Sequence, residues 1–207
     1  MNDALLEELC EAADSFYRRG YAYGSTGNLS VRVGDEVWIT PTGRPLKGLT
    51  PAGLARIGLD GSTTGDARPS KEFPFHLAVY EQRPEARAVV HLHSPYAVAL
   101  SCLESPDDEL LAPVTPYYFM RVAPLAVVPY FRPGSTALAE AVRRAAPSHH
   151  CILLRNHGLV CAGATLDEAV DRAEELEQAA RLRFILRGER ARHLTPEEIE
   201  ELNAAFK

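Results

Sequence analysis

The feature that most constrains this chain is the alternation of short apolar runs with longer amphipathic stretches. Residues 87–92, 125–129, 151–154 and 159–162 are apolar runs of strand length, whereas 95–103, 135–146 and 167 to about 187 carry helical periodicity. Upstream, Leu5, Leu6, Leu9, Ala12, Ala13, Phe16 and Tyr17 recur at helical spacing, and Gly20 follows as a stop. Strands are expected at 29–33 and 37–40, joined around Gly34-Asp35 as a hairpin. Ser70 precedes a helix whose stripe reads Phe73, Leu77 and Tyr80, with Pro74 tolerated in the first turn. A short terminal helix is expected at 196–206, and loops at 41–48 and 106–116. Residues 58–66 read as an exposed turn without an apolar anchor. Such alternation, without repeats, implies layered α/β architecture, one sheet covered by helices on both faces. Because several strands are hairpin-linked, the sheet should be mixed or mainly antiparallel rather than doubly wound. The 207 residues suit a single domain spanning 1–207.

Charge and composition narrow the function. A net charge of −6 disfavours a nucleic-acid binder, which would carry a basic face, but leaves room for a small anionic substrate held by a few local cations. The acidic, amphipathic N-terminus lacks the basic and apolar segments of a secretory signal, and no apolar stretch approaches a bilayer span. Cys10, Cys102, Cys151 and Cys161 are far apart in sequence and read as buried, reduced thiols of a cytoplasmic protein.

The chemistry concentrates on histidines. His91 and His93, two apart at the end of an apolar strand, point to the same face and can converge on one zinc ion. Alone, the pair is equally compatible with solvent-facing or hydrogen-bonded rings. His157 sits in a tight turn between two strands, and Gly158 after it permits close approach; a third histidine is what a catalytic zinc requires. Glu72, at the start of a helix, is either a ligand or a simple partner of the helix dipole. His76 reads as a core or hydrogen-bonded residue, and His149, His150 and His193 as surface residues. Three turns, Thr26-Gly27-Asn28, Thr42-Gly43 and Ser70-Lys71, offer the hydroxyls and backbone N–H groups that cradle phosphate, with Lys71 adding positive charge. Each is also ordinary turn chemistry.

Taken in order, Gly27-Asn28-Leu29-Ser30, Thr40-Pro41-Thr42-Gly43, Ser70-Lys71-Glu72, His91-Leu92-His93 and Asn156-His157-Gly158 resemble the class II aldolase/adducin family over nearly the whole chain. The resemblance implies a three-layer α/β/α sandwich with a central, mainly antiparallel sheet, assembled as a homotetramer with sites at subunit boundaries. It implies zinc held by His91, His93 and His157, with Glu72 ligating and moving protons, and substrate phosphate held by Gly27, Asn28, Thr42, Gly43 and Ser70. Within the family the chain most resembles the 3-oxo-tetronate 4-phosphate decarboxylases, through Pro69-Ser70-Lys71-Glu72, Val90-His91-Leu92-His93-Ser94, Leu100-Ser101-Cys102-Leu103, Thr115-Pro116-Tyr117, Met120-Arg121-Val122 and the segment Val128 to Gly134.

The implied reaction is decarboxylation of a phosphorylated four-carbon sugar acid to dihydroxyacetone phosphate and CO2 through a metal-stabilised enediolate. The implied catalytic residues are Glu72, Tyr117 and Lys71, the tyrosine reaching a neighbouring subunit's site, with Tyr118 as the other candidate. The family's sugar-phosphate aldolases tend to have a second serine where this chain has Lys71, which argues against a plain aldolase. A fuculose- or ribulose-phosphate aldolase, a ribulose 5-phosphate epimerase and a non-catalytic adducin-like scaffold are the alternatives. The retained histidines disfavour the scaffold.

Overall fold

The computed structural model describes residues 2–104 and 110–205. Helix α1 (Asn2–Arg18) leads to the hairpin β1 (Asn28–Val33) and β2 (Glu36–Ile39), then β3 (Ala55–Gly58) and β4 (Thr63–Thr64). Helix α2 (Phe73–Gln82), strand β5 (Ala88–Leu92), and helices α3 (Pro95–Ser101) and α4 (Pro116–Arg121) follow. The chain then runs through β6 (Leu125–Val128), α5 (Thr136–Ala145), β7 (Cys151–Leu154), β8 (Gly158–Gly163), α6 (Leu166–Ile185) and α7 (Pro196–Ala205). One eight-stranded sheet results, in the order β4-β3-β2-β1-β5-β8-β7-β6. Every neighbouring pair is antiparallel except β6 and β7, which are parallel.

Two cores sandwich the sheet. On one face, Leu9, Ala13 and Phe16 of α1, Ala97 and Leu100 of α3, Tyr118 of α4 and Leu176 of α6 pack on Leu29, Val31, Ala88, Val90 and Leu92. On the other, Phe75 and Val79 of α2 and Leu138 and Val142 of α5 pack on Val89, Ile152, Leu154 and Val160. Strands β5, β7 and β8 are buried on both faces, which is why they read as continuous apolar runs rather than alternating ones. The period-two alternation of β5 sends Ala88, Val90 and Leu92 to the first core and leaves His91 on the α2 side. In the β1–β5 register, Asn28 lies opposite His91 and Ser30 opposite Val89, so two polar residues of β1 are carried to that same side.

The three-layer sandwich and its mainly antiparallel sheet match the expectation. Several local readings do not. The expected turn at 58–66 holds the end of β3 and the short edge strand β4, anchored by Ile57, which is buried with Ile39 and Ala55 in a third small core. Helix α4 was not anticipated; it begins at Pro116, the last residue of the expected loop, and Thr115 Oγ1 caps it by accepting from Tyr118 N–H at 3.2 Å. Residues 106–109 of that loop, and residue 206 of the terminal helix, lie outside the described residues. The stripe expected on α2 is displaced: Phe73 and Leu77 are half-buried against the small third core, while Phe75, His76, Val79 and Tyr80 are buried. Cys102 is exposed, because it caps the C-terminus of α3; Cys10, Cys151 and Cys161 are buried, and all four are free thiols. His149 and His150 are half-buried rather than on the surface, His150 accepting from Arg83 Nη2 at 2.8 Å.

Candidate metal centre

Four separate chain segments deliver one cluster. Glu72 immediately precedes α2, His91 is in β5, His93 lies just past its end, and His157 sits in the turn between β7 and β8. One ligand atom from each of the four lies within 4.8 Å of all the others. His91 Nε2 is 3.0 Å from His93 Nε2 and 3.3 Å from Glu72 Oε2, and His157 Nε2 is 3.2 Å from Glu72 Oε1. Four ligands at zinc–ligand bond lengths around a tetrahedron would be separated by roughly 3.3 Å, so the spacing suits one small cation. The three imidazole planes are mutually near perpendicular, 74° to 82°, with centroids 4.7 to 4.9 Å apart.

Local backbone explains the convergence. Glu72 occupies the N-cap position of α2, yet its side chain makes no capping hydrogen bond and turns into the cluster instead. Helix-dipole pairing therefore does not account for it. Gly158 lets the β7–β8 turn close on β5, since a Cβ there would sit 2.2 Å from the Leu92 carbonyl oxygen. Gly27 has φ +78°, and a Cβ would meet the His91 carbonyl oxygen at 3.0 Å. His91 Nδ1–H donates to the Leu159 carbonyl at 2.8 Å, which turns Nε2 toward the cluster. Past His93, Glu177 of α6 fixes the chain: its carboxylate accepts from Ser94 Oγ at 2.7 Å and from the N–H groups of Tyr96 and Ala97 at 2.9 and 2.7 Å.

The electrostatics favour a cation. Burial alone would raise the Glu72 carboxyl, but the charge of His91 and contacts from His157 and His91 outweigh it and hold the group well below the usual carboxylate range. Burial, and the nearby charges of His91 and His157, push His93 down to about 3, so its ring is neutral at pH 7 and has a lone pair to give. Glu72 Oε1, His157 Nδ1 and His157 Nε2 are buried without a hydrogen-bond partner among the described residues. Buried polar atoms are normally satisfied. Two of these orphans face each other across the cluster, and a divalent cation satisfies both.

The other expected site residues have varied surroundings. A backbone bridge between Pro41 and Pro69 sets the Thr42-Gly43 turn beside Ser70, and Thr42 N–H donates to the Arg68 carbonyl at 3.0 Å. Ser70 Oγ accepts from Glu72 N–H at 3.3 Å, and Lys71 is exposed. The side chain of Asn28 donates to Glu72 Oε2 at 2.9 Å and accepts from His76 Nε2 at 2.5 Å, which ties it to the cluster. Tyr118 is buried in the first core, whereas Tyr117 is 56% exposed under the Arg121 guanidinium, on a helix that packs against α6 and α7. Of the two tyrosines, Tyr117 is the exposed one. Sequence reasoning missed the roles of Ser30, Tyr80 and Glu177; a glutamate amid the apolar positions of α6 was the one available signal.

Comparison with known proteins agrees with this geometry. Residues 7–184 match the class II aldolase and adducin N-terminal domain. A Haemophilus influenzae 3-oxo-tetronate 4-phosphate decarboxylase is 46% identical over 98% of both chains, and the Escherichia coli K12 protein of that name is 44% identical over 99% of this chain and 97% of its own. An L-fuculose phosphate aldolase of Methanococcus maripaludis is 38% identical over 87% of this chain and 97% of its own. Among solved structures, YgbL from Escherichia coli superposes with TM-score 0.93 at 43% identity, covering 97% of this chain and 98% of its own.

Proposed function

Since this chain belongs to the class II aldolase and adducin family, and to its carbon–carbon lyases, we propose that it decarboxylates a 3-oxo-tetronate 4-phosphate to dihydroxyacetone phosphate and CO2. The observation that carries the reading is the convergence of Glu72, His91, His93 and His157 in a chain nearly as long as its decarboxylase relatives. Class II aldolases depend on divalent metals, and we assign Zn²⁺ here on the donor set of three imidazoles and one carboxylate. Bound there, the cation supplies Lewis-acid stabilisation of negative charge on the substrate's ketone and hydroxyl oxygens.

The residues perform the remaining tasks. The substrate's carboxylate lies β to its ketone; when that carbon–carbon bond breaks, CO2 leaves and the electron pair stays behind as an enediolate. Tyr117 of an adjacent copy, or Glu72 after it has first taken up a proton from solvent, then delivers a proton to the carbon that lost CO2. Gly27, Asn28, Thr42, Gly43 and Ser70 receive the phosphate. Lys71, exposed beside Glu72, pairs with the phosphate or the departing carboxylate. We read residues 1–207 as one unit acting in the cytoplasm as a homotetramer. Free thiols support the compartment, and the exposure of Tyr117 supports a site completed by a second copy. Among the described residues no helix is long and apolar enough to cross a membrane.

The test is CO2 release and dihydroxyacetone phosphate formation from enzymatically generated 3-oxo-tetronate 4-phosphate, run beside fuculose 1-phosphate. The 38% identical aldolase gives a second reading its basis. Cleavage of the sugar phosphate without CO2 from the acid would replace the first reading by the second.

A further inference from the structure

A chain of buried polar side chains runs from the core between sheet and α2 to the carboxylate of Glu72. Tyr80 Oη is 2.8 Å from Ser30 Oγ; Ser30 Oγ is 2.8 Å from His76 Nδ1; His76 Nε2 is 2.5 Å from Asn28 Oδ1; Asn28 Nδ2 is 2.9 Å from Glu72 Oε2. None of the five residues exceeds 5% exposure, so water does not compete at any step. Phe75 stacks on the His76 ring at 4.8 Å and fixes its plane.

Hydrogen-bond valence gives the chain a direction. The ionised carboxylate of Glu72 can only accept, so Asn28 presents its amide N–H₂ there and its carbonyl oxygen to His76. His76 must then carry its proton on Nε2. Burial first, then the charge of His91, pushes this ring down to about 3, so it is neutral and its Nδ1 accepts. Ser30 therefore donates its single hydroxyl proton to His76, and its oxygen accepts from Tyr80, whose proton is shared with the Ser30 carbonyl at 3.0 Å. Every donor points toward Glu72.

We propose that Tyr80, Ser30, His76 and Asn28 form a one-way relay that pins Oε2 of Glu72, reserving Oε1 as the oxygen that meets the cation and carries the proton, with His76 as the positioning residue that sets the amide's orientation. The proposal rests on the metal-dependent reading for what Oε1 does, and on geometry alone for the relay. Glu72 Oε1 is the orphaned oxygen, 3.2 Å from His157 Nε2. Were Asn28 to flip, its carbonyl would face the carboxylate and repel it.

The experiment has two arms. Nitrogen NMR of the zinc-loaded protein with ring-labelled histidine reads the His76 tautomer directly at pH 7. The Nε2–H tautomer is expected; an Nδ1–H tautomer or an imidazolium overturns the relay. In the second arm, His76→Leu and His76→Gln are compared for cobalt(II) affinity by chelator competition and for kcat and KM. Leu should weaken cobalt binding roughly 10- to 100-fold, the usual scale for groups that orient metal ligands. It should also lower kcat more than KM. Gln, which can still donate to Asn28 Oδ1, should recover most of the loss. Equal behaviour of the two variants, at matched circular dichroism and melting temperature, overturns the positioning role. If Leu does not fold, the tautomer and the Gln variant still decide. A wild-type protein that binds no cobalt would instead sink the metal-dependent function and leave the tautomer result standing.

Discussion

Replacing Gly158 by alanine tests how tightly the metal centre is coupled to the sheet. The added Cβ would sit 2.2 Å from the Leu92 carbonyl oxygen, 3.2 Å from its carbonyl carbon and 3.4 Å from the His93 Cα. All three are backbone atoms, so no side chain can swing away. Restoring ordinary contact near 3.4 Å requires the β7–β8 turn and the end of β5 to separate by about 1 Å. That movement divides His157 from His91 and His93, whereas metal bonds tolerate only about 0.2 Å. Crowding of this kind costs about 1–3 kcal/mol in global stability. Metal affinity should fall further, by about 100-fold or more, because one of four ligands is pulled out of reach. Urea denaturation reads the first quantity and cobalt(II) competition the second. Gly53→Ala is the matched control, since its nearest neighbour is Thr50 Oγ1 at 3.7 Å, and it should leave both unchanged. Cobalt affinity in Gly158→Ala within threefold of wild type would refute the coupling.

Three further outcomes are expected. His93→Ala should lose bound zinc and activity while keeping its fold, and normal turnover by a metal-free variant would discard the mechanism. Lys71→Ser should slow decarboxylation more than it weakens metal binding; equal rates would show the lysine to be incidental. Mild acid should destabilise the metal-free protein: His76 is held at about 3 against about 6.5 unfolded, and His150 at about 4, chiefly by burial. The unfolded chain then binds more protons between those values, so stability falls as pH drops below about 6.5, with His76 alone contributing about 2 kcal/mol between pH 7 and 5. Identical urea midpoints at the two pH values would contradict that assignment.

What was legible in the sequence followed how local its cause was. Strand β5 and helix α6 announce themselves because double-sided burial and a long periodic stripe write themselves into consecutive residues. His91 and His93 were readable as a pair for the same reason, since strand alternation is local. Strands β3 and β4 were not, because Ala55-Arg56-Ile57-Gly58 becomes a strand through pairing with β2, more than a dozen residues away. Helix α4, at six residues, is too short to display a period and starts with proline. Asn28 suggested a phosphate cradle from its glycine-rich neighbourhood, yet its side chain serves Glu72, a partnership across 44 residues that no turn motif encodes. The small third core likewise moved the buried stripe of α2, by covering Phe73 and Leu77 from a second side.

The central position of β5 bears on when the protein can acquire its metal. His157 approaches His91 only once β8 has paired with β5, as the His91–Leu159 hydrogen bond joins residues 68 apart in the chain. Glu72 arrives by a different route, through α2 docking on the opposite layer. Until β8 pairs with β5 nothing holds His157 against His91 and His93, so the four ligands converge only on a closed sheet. Occupancy of the centre is thus a report that folding has finished.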